Sequence, residues 1–248
     1  MTCSPHGAPR VYGFTLTELT VVMVIVALLI GGLLVPLSAQ VEIRNINETR
    51  KALAEIREAL LGYAAVNGYL PCPALPTTAS GAANAGMESS RTAGGNCDLD
   101  AGVLPWATLG LNESDAWGRR FSYRPTAAFT NSATRVTLTS SGNITVLSAA
   151  VGGSPVASDV PAIVVSHGAN GNGAHTSLGT QLAVGADPDE LENQVVLVTT
   201  AWTAVWTDGR VARTFVKRST PTPGYDDEVA WLPPGLFFNR MLGAGKLP

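Results

Sequence analysis

The sequence predicts an α+β protein in which one long N-terminal helix, apolar in its first half and amphipathic in its second, packs on an antiparallel β-sheet with long loops. Three observations predict it. Residues 19–39 carry no charge. Residues 40–67 repeat apolar positions at spacings of three and four, the mark of one helical face. The rest of the chain falls into short alternating or apolar runs bounded by turn residues, with no helix–strand alternation and no glycine fingerprint of a parallel nucleotide fold.

The 248 residues have a formal net charge of -3 and only 14% charged residues. No basic field recommends a nucleic-acid partner. Residues 1–13 contain Pro5, Gly7 and Pro9, too broken for a helix and too short for a fold. They read as a processing address. The uncharged run after them would extend roughly 32 Å as a helix, enough to cross a bilayer once. Glu18 stands one residue before that run, where carrying an ionised side chain to mid-bilayer would cost on the order of 2.5 to 3.5 kcal/mol. Pro36, preceded by Gly31 and Gly32, marks a place where this helix is expected to bend.

Gly13-Phe14-Thr15-Leu16-Thr17-Glu18 and the run behind it resemble the class III signal of type IV pilins and of type II secretion pseudopilins. The resemblance covers about the first 30 residues. It implies cleavage after Gly13 by a prepilin peptidase, N-methylation of Phe14, and a role for Glu18 as the acid that meets a neighbouring subunit's terminal ammonium. At 4 Å and an effective dielectric near 20 that attraction is about 4 kcal/mol. The resemblance also implies an N-terminus in the cytoplasm, a single pass through the inner membrane and an exported C-terminal domain. Charge alone favours neither orientation, because Arg10 is opposed by Arg44, Arg50 and Lys51. The competing readings are an ordinary secretory signal cut after Ala39 and a plain single-pass anchor. Arg10 as the only basic residue of the leader, Leu37 at the outer cleavage position and an otherwise unexplained Glu18 weigh against both.

The expected organisation is therefore a leader over 1–13, a membrane and assembly helix over 14–39, its amphipathic continuation over 40–68, and an exported β-rich domain over 69–248. In the amphipathic part Ile46, Thr49, Leu53, Ile56, Leu60 and Tyr63 share a face, and charged residues fill much of the remainder. Asn67-Gly68 stops the helix, and Pro71 forbids its continuation. Cys3 would leave with the leader, so Cys72 and Cys97 are the pair left for an oxidising compartment, expected to form a disulfide around a loop. Residues 77–96, mostly Ala, Gly, Ser, Thr and Asn, are expected to bury little and order poorly.

Farther on, Asp115-Ala116-Trp117-Gly118 reads as a turn into an alternating strand whose aromatics belong to the core. This stretch resembles the start of the sheet in major pseudopilins. Residues 134–140 and 143–148 read as a hairpin about Ser141-Gly142, and residues 160–166 as a buried strand. Strand material is expected at 195–200, 202–206 and 210–216, with a turn at Asp208-Gly209.

The loop from Ser166 to Gly173 and the acidic stretch from Tyr225 to Trp231 resemble the two halves of the calcium site of major pseudopilins. That resemblance implies calcium at Asn170, Asn172, Asp226 and Asp227. It departs from the family in having Asn170 where the loop acid belongs, and a long insertion between the halves. Otherwise the two stretches read as hydrogen-bonded turns. Glu190, Glu192 and Asn193 read as a helix start or solvated turn. No catalytic residue is expected: His167 and His175 lack the spacing of a zinc motif, and no Gly-x-Ser-x-Gly accompanies Ser166-His167-Gly168. The whole reads as a structural subunit, a minor pilin or pseudopilin, with other subunits, an inner-membrane assembly platform and membrane lipid as partners. The alternative is a tethered extracytoplasmic module for adhesion or DNA uptake.

Overall fold

The computed structural model describes residues 13–194, 214–220, 222 and 224–247, and within them only the backbone of 32–38. The strands expected at 195–200 and 202–206, the turn at Asp208-Gly209, most of the leader, and the side chains around the Pro36 bend lie outside the described residues. The chain forms two compact units, Met1–Arg44 and Asn45–Pro248.

Helix α1, Leu16–Asn67, runs through both units in sequence. In the first unit the side chains from Leu19 to Ile30 are exposed, with Leu28 at 71%. Among the described residues no helix is long and apolar enough to cross a membrane. The sequence's uncharged run, however, includes residues 32–38, whose side chains are not described. In the second unit Thr49, Leu53, Ile56 and Leu60 of the expected face are below 5% exposed, as is Ala64, while Ile46 and Tyr63 at its ends are only partly buried. The helix ends where Gly68 takes φ 85° and its N–H reaches the Ala64 carbonyl at 2.8 Å, a left-handed stop that glycine makes without steric cost.

The strands that follow are β1 (Gly102–Val103), β2 (Arg119–Arg120), β3 (Ser122–Pro125), β4 (Ile144–Leu147), β5 (Pro155–Val160), β6 (Ala162–Ser166), β7 (His175–Thr176), β8 (Thr214–Val216) and β9 (Glu228–Trp231). The short helices are α2 (Trp106–Leu109), α3 (Pro188–Asn193) and α4 (Pro234–Gly243). The central sheet has the order β1-β3-β6-β9 and is antiparallel throughout. Because successive side chains of a strand point to opposite faces, β6 supplies two cores. Ala162 and Val164 join Leu53, Ile56, Leu60, Tyr123, Phe237 and Met241 beneath α1. Ile163 and Val165 join Ile144, Val146, Val160 and Phe215 on the other side. The sheet is thus covered by helices on one face and by the three-stranded sheet β5-β4-β8 on the other.

Three expectations are corrected. Residues 143–148 do supply β4, but its antiparallel partner is β5 rather than residues 134–140. Arg135 takes φ 56°, and the Thr137 amide donates to Ser140 Oγ at 3.0 Å, so that stretch closes into turns. The sheets are not uniformly antiparallel either, since β4 pairs with β8 in parallel. The loop over 77–96 is held by specific contacts: Glu88 accepts from the Cys72 amide, Tyr63 Oη and Arg91, and Trp106 packs so closely on Gly86 that a β-carbon there would lie 2.2 Å from the indole. Cys72 and Cys97 are joined by a disulfide at a Cα separation of 5.5 Å. Small residues give this loop little to bury, yet they admit the close approaches that fix it.

Candidate functional site

At the N-terminus Gly13, Phe14 and Thr15 precede the first helical turn, and Phe14 is 85% exposed. Thr15 and Glu18 form a reciprocal cap. The Glu18 amide donates to Thr15 Oγ1 at 3.3 Å, while the Thr15 amide and hydroxyl donate to Glu18 Oε2 at 2.9 and 2.8 Å. Two donors that the helix start would leave unsatisfied are thereby paired. Sequence reasoning gave Glu18 no local role, although Thr-x-x-Glu before an apolar run is a readable capping signature. The peptide bond after Gly13 thus lies next to an exposed side chain, two residues before a capped helix.

A second constellation forms where the loop after β6 meets the approach to β9. Gly168 at φ 54° lets the loop close on Asp226, whose carboxylate a β-carbon would approach to 2.4 Å. The Asn170 amide donates to Asp226 Oδ2 at 2.9 Å. The α3 helix brings Glu190 to the same place, with Asp187 capping its first turn and Pro188 opening it. Asn170 Nδ2 and Asn172 Nδ2 donate to the two oxygens of Glu190 at 2.5 and 2.8 Å. Asp227 Oδ2 accepts from Asn193 Nδ2 at 2.9 Å.

Asn170, Asn172, Asp226 and Asp227 therefore converge, but through Glu190, which the sequence reads as part of a helix start or solvated turn; it is in the first turn of α3, yet buried rather than solvated. Glu190 and Asn193 are fully buried; a carboxylate between Asp189 and Glu192 looks solvated until the fold turns it inward. Donor atoms of Glu190, Asp226 and Asp227 lie within 4.8 Å of one another. Burial pushes the carboxyl of Asp226 upward and that of Asp227 well above the ordinary range, and the Glu190 charge adds to both. Asp226 Oδ1 and Asp227 Oδ1 are buried without a hydrogen-bond partner among the described residues. Asp226 and Asp227 each carry an orphaned oxygen beside Glu190, whose own two oxygens are hydrogen-bonded; such a crowd of carboxyls suits a divalent cation. Glu190, Asp226 and Asp227 would hold it, while the two Asn side chains turn their N–H groups to Glu190 and steady it.

His167 is fully buried between Ser122 and Asp227, its Nε2 2.8 Å from Ser122 Oγ and its Nδ1 3.9 Å from Asp227 Oδ1. Burial, then the neighbouring His175 and Arg119, lower it to about 3. It is neutral near pH 7, so its approach to Asp227 is not an ion pair. Ser122, His167 and Asp227 are the residue types of a hydrolase triad, but Ser122 is only 5% exposed within β3. His175, also buried, is lowered to about 4 by burial and then by Arg120. A cavity of about 450 Å³ beside Ser148, Val156, Lys217, Arg218 and Thr222 looks cationic, yet Lys217 is paired to Glu228 and Arg218 to Asp189.

A family model described as the prokaryotic N-terminal methylation motif matches residues 9–34. The chain carries a class III prepilin-type signal, the signal of type IV pilin-like and pseudopilin subunits. No curated protein and no solved structure matches it.

Proposed function

We propose, from the premise that the chain carries a class III prepilin-type signal, that it is a structural subunit of a type IV pilus or type II secretion filament, in the position of a minor pilin or pseudopilin. The observation that carries this reading is the matched motif at residues 9–34 leading into a helix whose apolar side chains from Leu19 to Ile30 are exposed. Before assembly the run over 14–39 is held in the inner membrane, N-terminus in the cytoplasm, with the β-rich part in the periplasm. Prepilin peptidase cuts after Gly13 and Phe14 is methylated. The assembly platform then moves the helix from lipid into a bundle of neighbouring subunits. The size of the part after residue 68 favours a minor or tip component.

Within that bundle Glu18 neutralises the terminal ammonium of a neighbour. The capping bonds described here fall on its Oε2, so local capping and subunit pairing use the same side chain. The test is Glu18→Ala co-expressed with the wild-type chain and the filament machinery. Processing should persist while recovery of the variant in sheared filaments falls at least tenfold; equal recovery of both forms would overturn the pairing role.

A further inference from the structure

The second half of α1 and strand β9 border an open cleft of about 180 Å³. Arg50, Ala54 and Arg57 reach it from one face of the helix, at spacings of four and three, and Lys217, Glu228 and Val229 line its other side. Arg50 and Lys217 share Glu228, at 2.6 and 2.8 Å. Arg57 Nε, by contrast, is buried without a hydrogen-bond partner among the described residues, and a charged donor left in that state is costly. Around the cleft three cations face one carboxylate, so the lining favours a further negative group.

The same cleft runs along a sheet edge. Among the described residues β9 is the last strand of the central sheet. It pairs with β6 in the register Trp231 to Ile163, and the Leu232 amide donates to the Ala162 carbonyl at 2.9 Å. Residues of an antiparallel strand bond a given neighbour alternately. Glu228, Ala230 and Leu232 therefore face β6, while the N–H and C=O groups of Val229 and Trp231 point away from it, as the unpaired template that an edge strand presents.

We propose that the cleft between α1 and β9 takes an extended acidic segment of another protein, which adds to β9 as a further strand and sets one carboxylate against Arg57. Strand addition draws affinity from main-chain hydrogen bonds and specificity from alternate side chains. Because those side chains project to opposite faces, one of them is carried toward α1 while the backbone beside it meets Val229 and Trp231. A carboxylate there gives the Arg57 guanidinium a charge-assisted partner, and the small, exposed Ala54 leaves room for it between Arg50 and Arg57. The surplus of positive charge selects against a basic segment. This inference concerns a partner of the β-rich unit and stands or falls separately from the filament role.

The test uses the full chain in detergent micelles and a fluorescein-labelled peptide that alternates valine and threonine about one central glutamate, together with its glutamine counterpart. By fluorescence anisotropy the glutamate peptide should bind at least tenfold more tightly than the glutamine peptide. Once bound, it should slow amide hydrogen exchange at Val229 and Trp231 at least fivefold. Arg57→Gln should reduce the preference for glutamate to less than twofold, and Ala54→Leu, which fills the cleft from an exposed position, should weaken both peptides at least tenfold. Should either variant fail to fold, the two peptides and the exchange rates of the wild-type chain decide alone. Equal affinity for the two peptides, binding that leaves exchange at Val229 and Trp231 unchanged, binding of neither peptide, or self-association of the chain in place of peptide binding would overturn the proposal.

Discussion

Leu28 and Leu60 lie on one helix, and one is 71% exposed where the other is 1% exposed. Around Leu60 apolar residues recur on a single stripe, and the stripe is spent inside the protein, against Tyr123, Val164, Phe237 and Met241. Around Leu28 there is no stripe: ten large apolar side chains between Leu19 and Ile30 point all round and all are exposed. A soluble monomer rarely shows such a surface. Covering each of these side chains is worth on the order of 1.5 to 3 kcal/mol, a driving force that lipid or neighbouring helices would satisfy under the proposed function. The difference teaches that periodicity, rather than hydrophobicity, separates the part of α1 that folds the chain from the part that places it.

That contrast is broken or sharpened first by truncation. Leu60→Ala is expected to destabilise the full chain by about 2 to 5 kcal/mol, the usual range for a well-packed core leucine, whereas Leu28→Ala should leave the unfolding midpoint of the β-rich unit unchanged. Equal losses at the two positions, read by denaturant unfolding in micelles, would erase the distinction.

A comparable effect is expected at the disulfide, on the folding side alone. Cys72→Ser with Cys97→Ser should cost about 3 to 4 kcal/mol by the chain-entropy relation for a closed loop of this length, with processing at Gly13 unaffected.

The smallest effect is electrostatic and again confined to the second unit. Glu228, 7% exposed on β9, accepts from Arg50 on α1 and from Lys217. Burial alone would raise its carboxyl, but Arg50 and Lys217 outweigh burial and hold it below the ordinary range. A carboxyl depressed by folding stabilises above its unfolded value, near 4.3, and loses that contribution as pH falls through the folded value. Glu228→Gln should therefore cost on the order of 1 to 2 kcal/mol at pH 7, discounted for the exposure of Arg50. The gap from wild type should narrow as pH falls below the unfolded value and through the depressed folded one; a gap that persists in acid would assign the loss to packing.

Much of the second unit was readable because its signals are local. The stop at Gly68, the turn at Asp115-Ala116-Trp117-Gly118, the buried run of β6 and the core positions of Phe121 and Tyr123 follow from backbone freedom and alternation. Pairing is not local. The choice of β5 over residues 134–140 as the partner of β4, and the parallel β4–β8 contact, depend on cross-strand packing that one strand's composition does not contain. The cluster divides in the same way. Asp226, Asp227 and the Gly168 loop stand out as acids and a glycine-rich turn, while Glu190 arrives from α3, joined to them only by the fold.

The central claim, that the first half of α1 is delivered to an assembly by prepilin processing, is tested most directly by intact-mass and N-terminal analysis of the chain co-expressed with a prepilin peptidase. The account predicts a chain shortened by residues 1–13 that begins with N-methyl-Phe14. A terminus at Gln40, or an uncut chain in the presence of active peptidase, would contradict it.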